Sequence, residues 1–175
     1  MKDILVVKPC HERPQRAIPF DKAFKATDYR QWIHFYTDDR RFECVWNNPK
    51  AYLRRFKQFD GCLSADFSLY RDMLLSIQIW NTYRNRTLTF WMQSNQINVI
   101  PNVQWGDERS YDFCFDGIPK NAVVAISTNG CIQEKTDCIM IDIVCFFVLF
   151  EILLKRHQHC SISTMDKNIV ILDMG

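Results

Sequence analysis

The 175-residue sequence lacks most of the signatures that announce a chemistry. Eight cysteines occur without a single Cys-x-x-C pair, which argues against a zinc ribbon or a thioredoxin-type redox motif. Five glycines and six prolines are too few for a linker-rich or disordered chain. No G-x-x-x-x-G-K-[ST], G-x-G-x-x-G or G-x-S-x-G is present, so the easily read nucleotide-binding and hydrolase classes drop out. The four histidines form no H-E-x-x-H, and His157-x-His159 is too close for a helical metal pair, so no metal site is expected. A net charge of +2 demands neither a nucleic acid nor an acidic membrane as partner. Repeats and low-complexity segments are absent. The apolar stretch Ile4 to Val7 is too short for a signal peptide, and scattered cysteines without a secretion signal point to reduced thiols in the cytoplasm.

What is present suits one domain with a real core: 47% apolar and 24% charged residues, with aromatics high at 14%. Residues 1–17 read as an N-terminal arm, with a short strand or extended segment at Ile4 to Val7 ended by Pro9. Ile18 to Asp21 starts the domain proper. Trp32 to Tyr36 is aromatic and β-branched, hence a strand. Thr37-Asp38-Asp39 offers an N-cap, with Phe42 and Trp46 four apart on one helical face. Asn48 with Pro49 predicts a second short helix through Phe56. Phe59 to Leu63, Ile97 to Val103 and Ala122 to Ser127 are further strands, with Pro101 forcing a bulge or an end. The spacing of Met73, Ile77, Trp80, Leu88 and Trp91 predicts a long helix over 72–93, broken by Asn95-Gln96. Ser110 to Phe115 reads as a short helix. Alternating strands and helices define an α/β fold with a mainly parallel sheet built from βαβ units, as an open sheet or a partial barrel.

Three polar loops each follow an apolar run: Ser64 to Asp72, Gln104 to Arg109, and Ser127 to Cys131. Parallel strands would bring all three to one sheet edge, where α/β proteins place their sites. Asp66, Asp107 and Glu108 are the candidates for acid–base work, with Asp72 a further carboxylate, and paired carboxylates of this kind also suit a magnesium ion. Arg71 and Arg109 suit a phosphate or a carboxylate, Tyr70 and Trp105 a stacked base or sugar, and Thr128 an anion at a following helix start. The structural alternatives stand beside these roles. Asp66 or Asp72 could cap the long helix, Asp107 and Arg109 could form a surface pair, and Trp105 could be core.

The segments Asp66 to Met73, Gln78 to Arg84, Val99 to Tyr111 and Phe113 to Lys120 together resemble the domain of unknown function 4417 family. Asp38-Asp39 with Phe42, and Trp46-Asn47-Asn48-Pro49, fit the family's upstream part. The resemblance spans about residues 18–135. It implies a bacterial, phage or mobile-element protein and brings no activity, cofactor or partner with it. A ligand site at the strand ends, suited to a phosphate-bearing small molecule or nucleic acid, is the first functional expectation. The rival is a non-enzymatic interaction protein acting on a host or replication partner through Trp105 and Tyr70.

Residues 136–175 form a divergent tail in which Cys138 to Leu154 is nearly all apolar. Asp142 and Glu151 interrupt that run and oppose membrane insertion, which favours a buried helix over a span. A third reading is an out-of-frame tail from about residue 135. Codons read across the Arg156/His157 to His159/Cys160 junctions permit Pro-Ser-Thr-Leu, much like the family's turn.

Overall fold

A computed structural model describes residues 3–127, 161–166 and 169–173. In chain order the elements are β1 (Ala17–Pro19), α1 (Phe20–Ala23), β2 (Trp32–His34), α2 (Glu43–Asn47), α3 (Leu53–Phe56), β3 (Gly61–Leu63), α4 (Leu75–Ser94), β4 (Val99–Ile100), β5 (Val123–Ser127), β6 (Ser161–Asp166) and β7 (Ile169–Asp173). Short 3-10 turns cover Asp39–Arg41, Pro49–Tyr52 and Glu108–Asp112. The first four strands form an all-parallel sheet in the order β1-β2-β3-β4. Each strand lies beside its predecessor, so all described crossovers step the same way across the sheet. The described strands close no barrel.

Proline explains why β4 is only two residues long. Pro101 has no N–H to donate, and pairing resumes one residue later. There Asn102 bridges Ala125 in parallel sense, with Val103 N–H donating to the Ala125 carbonyl (3.0 Å) and Ala125 N–H to the Pro101 carbonyl (2.8 Å). Through this bridge β5 continues the parallel series. Its other edge pairs antiparallel with β7, and β7 with β6. The described part of the tail is therefore a hairpin against β5, while the whole apolar run Cys138 to Leu154 lies outside the described residues, as does the start of the tail.

Alternation along the strands divides the core. Ile33, Phe35, Cys62 and Val99 face a cluster with Phe42, Phe56 and, from α4, Leu88 and Met92. Trp32, Leu63, Ile100, Val123 and Ala125 meet Ile169 and Ile171 of β7 in a second cluster. Gly61 is fixed by the second: a Cβ there would lie 2.6 Å from the Trp32 ring and 2.7 Å from the Asn98 carbonyl.

Local signals account for the turns. The Asp38 carboxylate accepts from Arg40 N–H, as an N-cap does, and Pro49 opens its turn at the first position. The long helix starts at Leu75 with Leu74 as its cap and no side-chain cap, so neither Asp66 nor Asp72 caps it. It ends in a Schellman motif, with Gln96 left-handed (φ 66°), Ile97 N–H bonded to the Met92 carbonyl and Gln96 N–H to the Gln93 carbonyl. The arm residues Ile4 to Val7 form no strand. Val7 is buried and its N–H donates to the Gly117 carbonyl at 3.0 Å.

The face of α4 that packs inward is the largest departure from the sequence reading. Ile77 (43% exposed) and Trp80 (47%) look outward, while Gln78, Asn81, Thr82, Asn85, Arg86 and Thr89 are buried. Only the last turns, through Leu88 and Met92, bury the apolar stripe. Leu88→Ala is therefore expected to cost about 2–5 kcal/mol, and Ile77→Ser to stay within about 0.5 kcal/mol, in chemical denaturation of the two variants. Equal losses would mean that the inward face had been misidentified.

Candidate functional site

The buried polar face of α4 meets the loops that leave β3 and β4. Asn85 makes the central link. Its Oδ1 accepts from Phe67 N–H (2.9 Å), and its Nδ2 donates to the Phe67 carbonyl (3.2 Å). Because a backbone donor and a backbone acceptor hold it, the orientation of this amide is unambiguous. Nδ2 also donates to Gln104 Oε1 (3.2 Å), which turns Gln104 Nε2 toward Asp66 Oδ1. Asn102 Nδ2 donates to the same Asp66 oxygen. Behind it, the Tyr36 hydroxyl donates to Asn102 Oδ1 (3.2 Å).

Apart from Asn85 of α4, each participant comes from the C-terminal end of a strand. Tyr36 follows β2, Asp66 follows β3, and Asn102 and Gln104 follow β4. Ser64 helps fix their spacing, its Oγ accepting from Asn102 N–H (2.8 Å). His34, at the end of β2, accepts from Tyr36 N–H at Nδ1 (3.3 Å). Beneath the group, Arg86 donates to the carbonyls of Asn102 (3.0 Å), Cys114 (2.8 Å) and Asp116 (2.9 Å). Burial lowers its pKa to about 10, which leaves it cationic at neutral pH.

Asp66 keeps part of its surface accessible, yet protein surrounds its carboxyl. Burial pushes its pKa up to about 8; the Asn102 hydrogen bond opposes that rise and the nearby Asp39 charge adds to it. Asp39 is itself raised by burial, although Ser68 N–H (3.1 Å) and Oγ (2.8 Å) donate to it. The Tyr36 hydroxyl is pushed well above its ordinary range by burial and by Asp66, so it stays protonated.

The other sequence candidates divide around this centre. Asp107 caps the 3-10 turn, accepting from Arg109 N–H (3.0 Å), and pairs with the Arg109 guanidinium at 2.6 Å. That hydrogen-bonded pairing holds the Asp107 carboxyl below its usual range. Arg109 Nη2 further donates to the Arg71 carbonyl (3.0 Å), tying the second loop to the first. The side chains of Arg71 and Glu108 are exposed, and Trp105 is half-buried against Val103, Val124, Ile126 and Leu172. Thr128 lies outside the described residues. Tyr36, Asn85, Asn102 and Gln104 were not among the candidates. Their signals were alternation beyond the strand ends and an uncharged polar stripe on a helix.

Among the described residues no group of three or more His, Cys, Asp or Glu could hold a metal ion. No described helix is long and apolar enough to cross a membrane.

The fold and this edge define an α/β domain with a stepwise parallel sheet and a polar cluster at its strand ends. The chain belongs to the family described as domain of unknown function 4417, whose sequence profile matches residues 2–172. Its relatives include the Gene 1 proteins of Mycobacterium phages D29 and L5, each 45% identical over 105 residues. Those alignments cover 60% of this chain but only 39% and 46% of the two phage proteins, so the chain spans less than half the length of these relatives. No solved structure matches.

The acidity of Asp66 sets a sign for stability. An unfolded aspartate titrates near about 3.9. Between about pH 4 and about pH 8 the folded state holds a proton that the unfolded chain has released, so the Asp66 contribution to stability falls as pH rises. Asp66→Asn removes that slope. In a pH series of thermal melts, the variant should gain on the native protein steadily from pH 5 to pH 8 and hold a constant difference above it. Parallel curves would show that Asp66 titrates as an ordinary carboxylate.

Proposed function

We propose that this phage-related chain binds a small polar ligand at the C-terminal ends of β2, β3 and β4, with Asp66 making the decisive contact. One observation carries the reading: polar side chains that follow three successive parallel strands join in one hydrogen-bonded cluster, in which two amides oriented from behind meet on the Asp66 carboxyl. Ligands of parallel α/β sheets sit at this edge, among a few convergent polar groups with shifted acidities. Asp66 is the acid–base candidate should the ligand be transformed.

The phosphate reading rests on the rim. Arg109 is committed to Asp107, which leaves Arg71 as the arginine available to a phosphate borne by the ligand. Glu108 remains a proposed acid–base carboxylate, and Thr128, outside the described residues, a proposed anion contact. The free thiols of Cys10 and Cys62 support a reducing, cytoplasmic setting. The second reading, a non-enzymatic interaction protein, draws on exposed Tyr70, Leu74, Ile77 and Trp80 beside the first loop.

A thermal-shift screen with nucleotides, sugar phosphates and uncharged sugars and bases tests the proposal. Near 100-fold excess over Kd, a true ligand should raise the melting temperature by about 5 °C or more. Asp66→Ala should abolish that rise, and Ile77→Ser should leave it intact. A native protein that no compound stabilises, or an Asp66→Ala variant that responds equally, would reject the site.

A further inference from the structure

We infer that the ligand group seated against Asp66 is an uncharged hydrogen-bond acceptor, a carbonyl oxygen or a ring nitrogen, which takes its hydrogen bond from Asp66 Oδ2. The inference rests on the site reading above and specifies what that site selects.

The geometry around the carboxyl is one-sided. Both amide donors, from Asn102 and Gln104, land on Oδ1 and occupy its two lone pairs. Among the described residues nothing donates to Oδ2. No described arginine or lysine side chain bonds to this carboxyl either. Arg86 spends its donors on three carbonyls, and Arg84 pairs with Glu43 (3.0 Å) and Asn81 (2.6 Å) over the Phe67 ring. The charge acting on Asp66 from nearby is that of Asp39, of the same sign. Among the described residues at the end of β2, His34 and Tyr36 are titratable; Tyr36 stays protonated and His34 accepts a backbone hydrogen bond.

A buried carboxyl with a like charge nearby and no cation against it keeps its proton. The proton then resides on Oδ2, because Oδ1 is saturated as an acceptor. Beside it lie the carboxamides of Asn102 and Gln104, each with a second N–H. The side chains nearest the ligand therefore present donors and no full charge. An uncharged acceptor satisfies them without desolvating a second ion. A cationic amine or a divalent metal would instead require Asp66 ionised, and a phosphate dianion pressed against it would add to the charge of Asp39.

Substitution with asparagine separates these cases. The donors that hold Oδ1 also hold the amide oxygen of Asp66→Asn in that place, so its Nδ2 falls where Oδ2–H was. Asparagine thus keeps the donor and loses the charge. Binding is measured by calorimetry for uracil, nicotinamide and N-acetylglucosamine as uncharged probes, and for spermidine, magnesium and inorganic phosphate as charged ones. At least one uncharged probe should bind the native protein at pH 6.5. Asp66→Asn should hold it within about threefold and keep binding at pH 9, where the native protein weakens; Asp66→Ala should lose about tenfold or more. Infrared spectra of the native protein at pH 6 should show a carboxylic-acid C=O band that is absent in Asp66→Asn and disappears above about pH 8. Binding of spermidine or magnesium that Asp66→Asn abolishes, or an ionised Asp66 at pH 6, overturns the inference while leaving the site intact. A native protein that binds none of the probes defeats the site and the inference together.

Discussion

The pairing of Asn85 with the backbone of Phe67 is the contact on which the strand-end architecture depends. The parallel strands here are two or three residues long, apart from β5. Such strands satisfy few backbone groups, and the chain leaving them is buried: Ala65 and Phe67 are fully covered. Buried N–H and C=O groups must find partners. The α4 side chains provide them. Asn85 takes both groups of Phe67, Asn81 Nδ2 donates to the Ser68 carbonyl (2.6 Å), and Gln78 Nε2 donates to the Tyr70 and Met73 carbonyls (each 3.1 Å). Arg86 does the same for the chain beyond β4. A helix doing this must turn amides inward and let Ile77 and Trp80 turn out.

That requirement explains what could be read in the sequence and what could not. Strand positions were legible because burial of short parallel strands concentrates Ile, Val and aromatic residues, as in Trp32 to Tyr36 and Ala122 to Ser127. The end of α4 was legible because Asn95-Gln96 terminates a helix by local chemistry. The orientation of α4 was not, because periodicity weighs apolar residues alone. Gln78, Asn81, Thr82, Asn85 and Thr89 repeat at the same helical spacing as the apolar stripe. An uncharged polar stripe is ambiguous in sequence: it suits a solvated face as well as a face turned toward loops. The length and irregularity of the Phe67 loop resolve it, and those are tertiary facts. β1 was missed for a related reason, since Ala17–Pro19 is too short to show alternation.

The site candidates divide along the same line. Asp66 was legible as an acid after a strand. Its partners were not: Tyr36 and Asn102 read as strand positions although the strands end at His34 and Ile100, and Gln104 reads as loop. The charged residues that drew attention, Asp107 and Arg109, instead brace the two loops: they pair at 2.6 Å, and Arg109 reaches the Arg71 carbonyl. Charge that is free to pair at a rim does so, and it then stabilises loop geometry instead of meeting a ligand.

Electrostatics sorts the whole edge. Arg84 with Glu43, Arg109 with Asp107 and Arg41 with Asp21 are matched pairs with at least one partner substantially exposed. Inward of them the described side chains are mostly amides and hydroxyls, with Tyr36, His34 and the buried Arg86, and with Asp39 and Asp66 as acids. Asp39 accepts two hydrogen bonds from Ser68, whereas Asp66 receives both of its donors on one oxygen. Neutral amides held from behind lose little entropy when a ligand arrives, since Phe67 and Tyr36 have already fixed their orientation. An acid among them keeps an oxygen for that ligand because the scaffold spends its donors on the other one. The same constraint that turned the amides of α4 inward thus leaves Asp66 Oδ2 with no donor among the described residues.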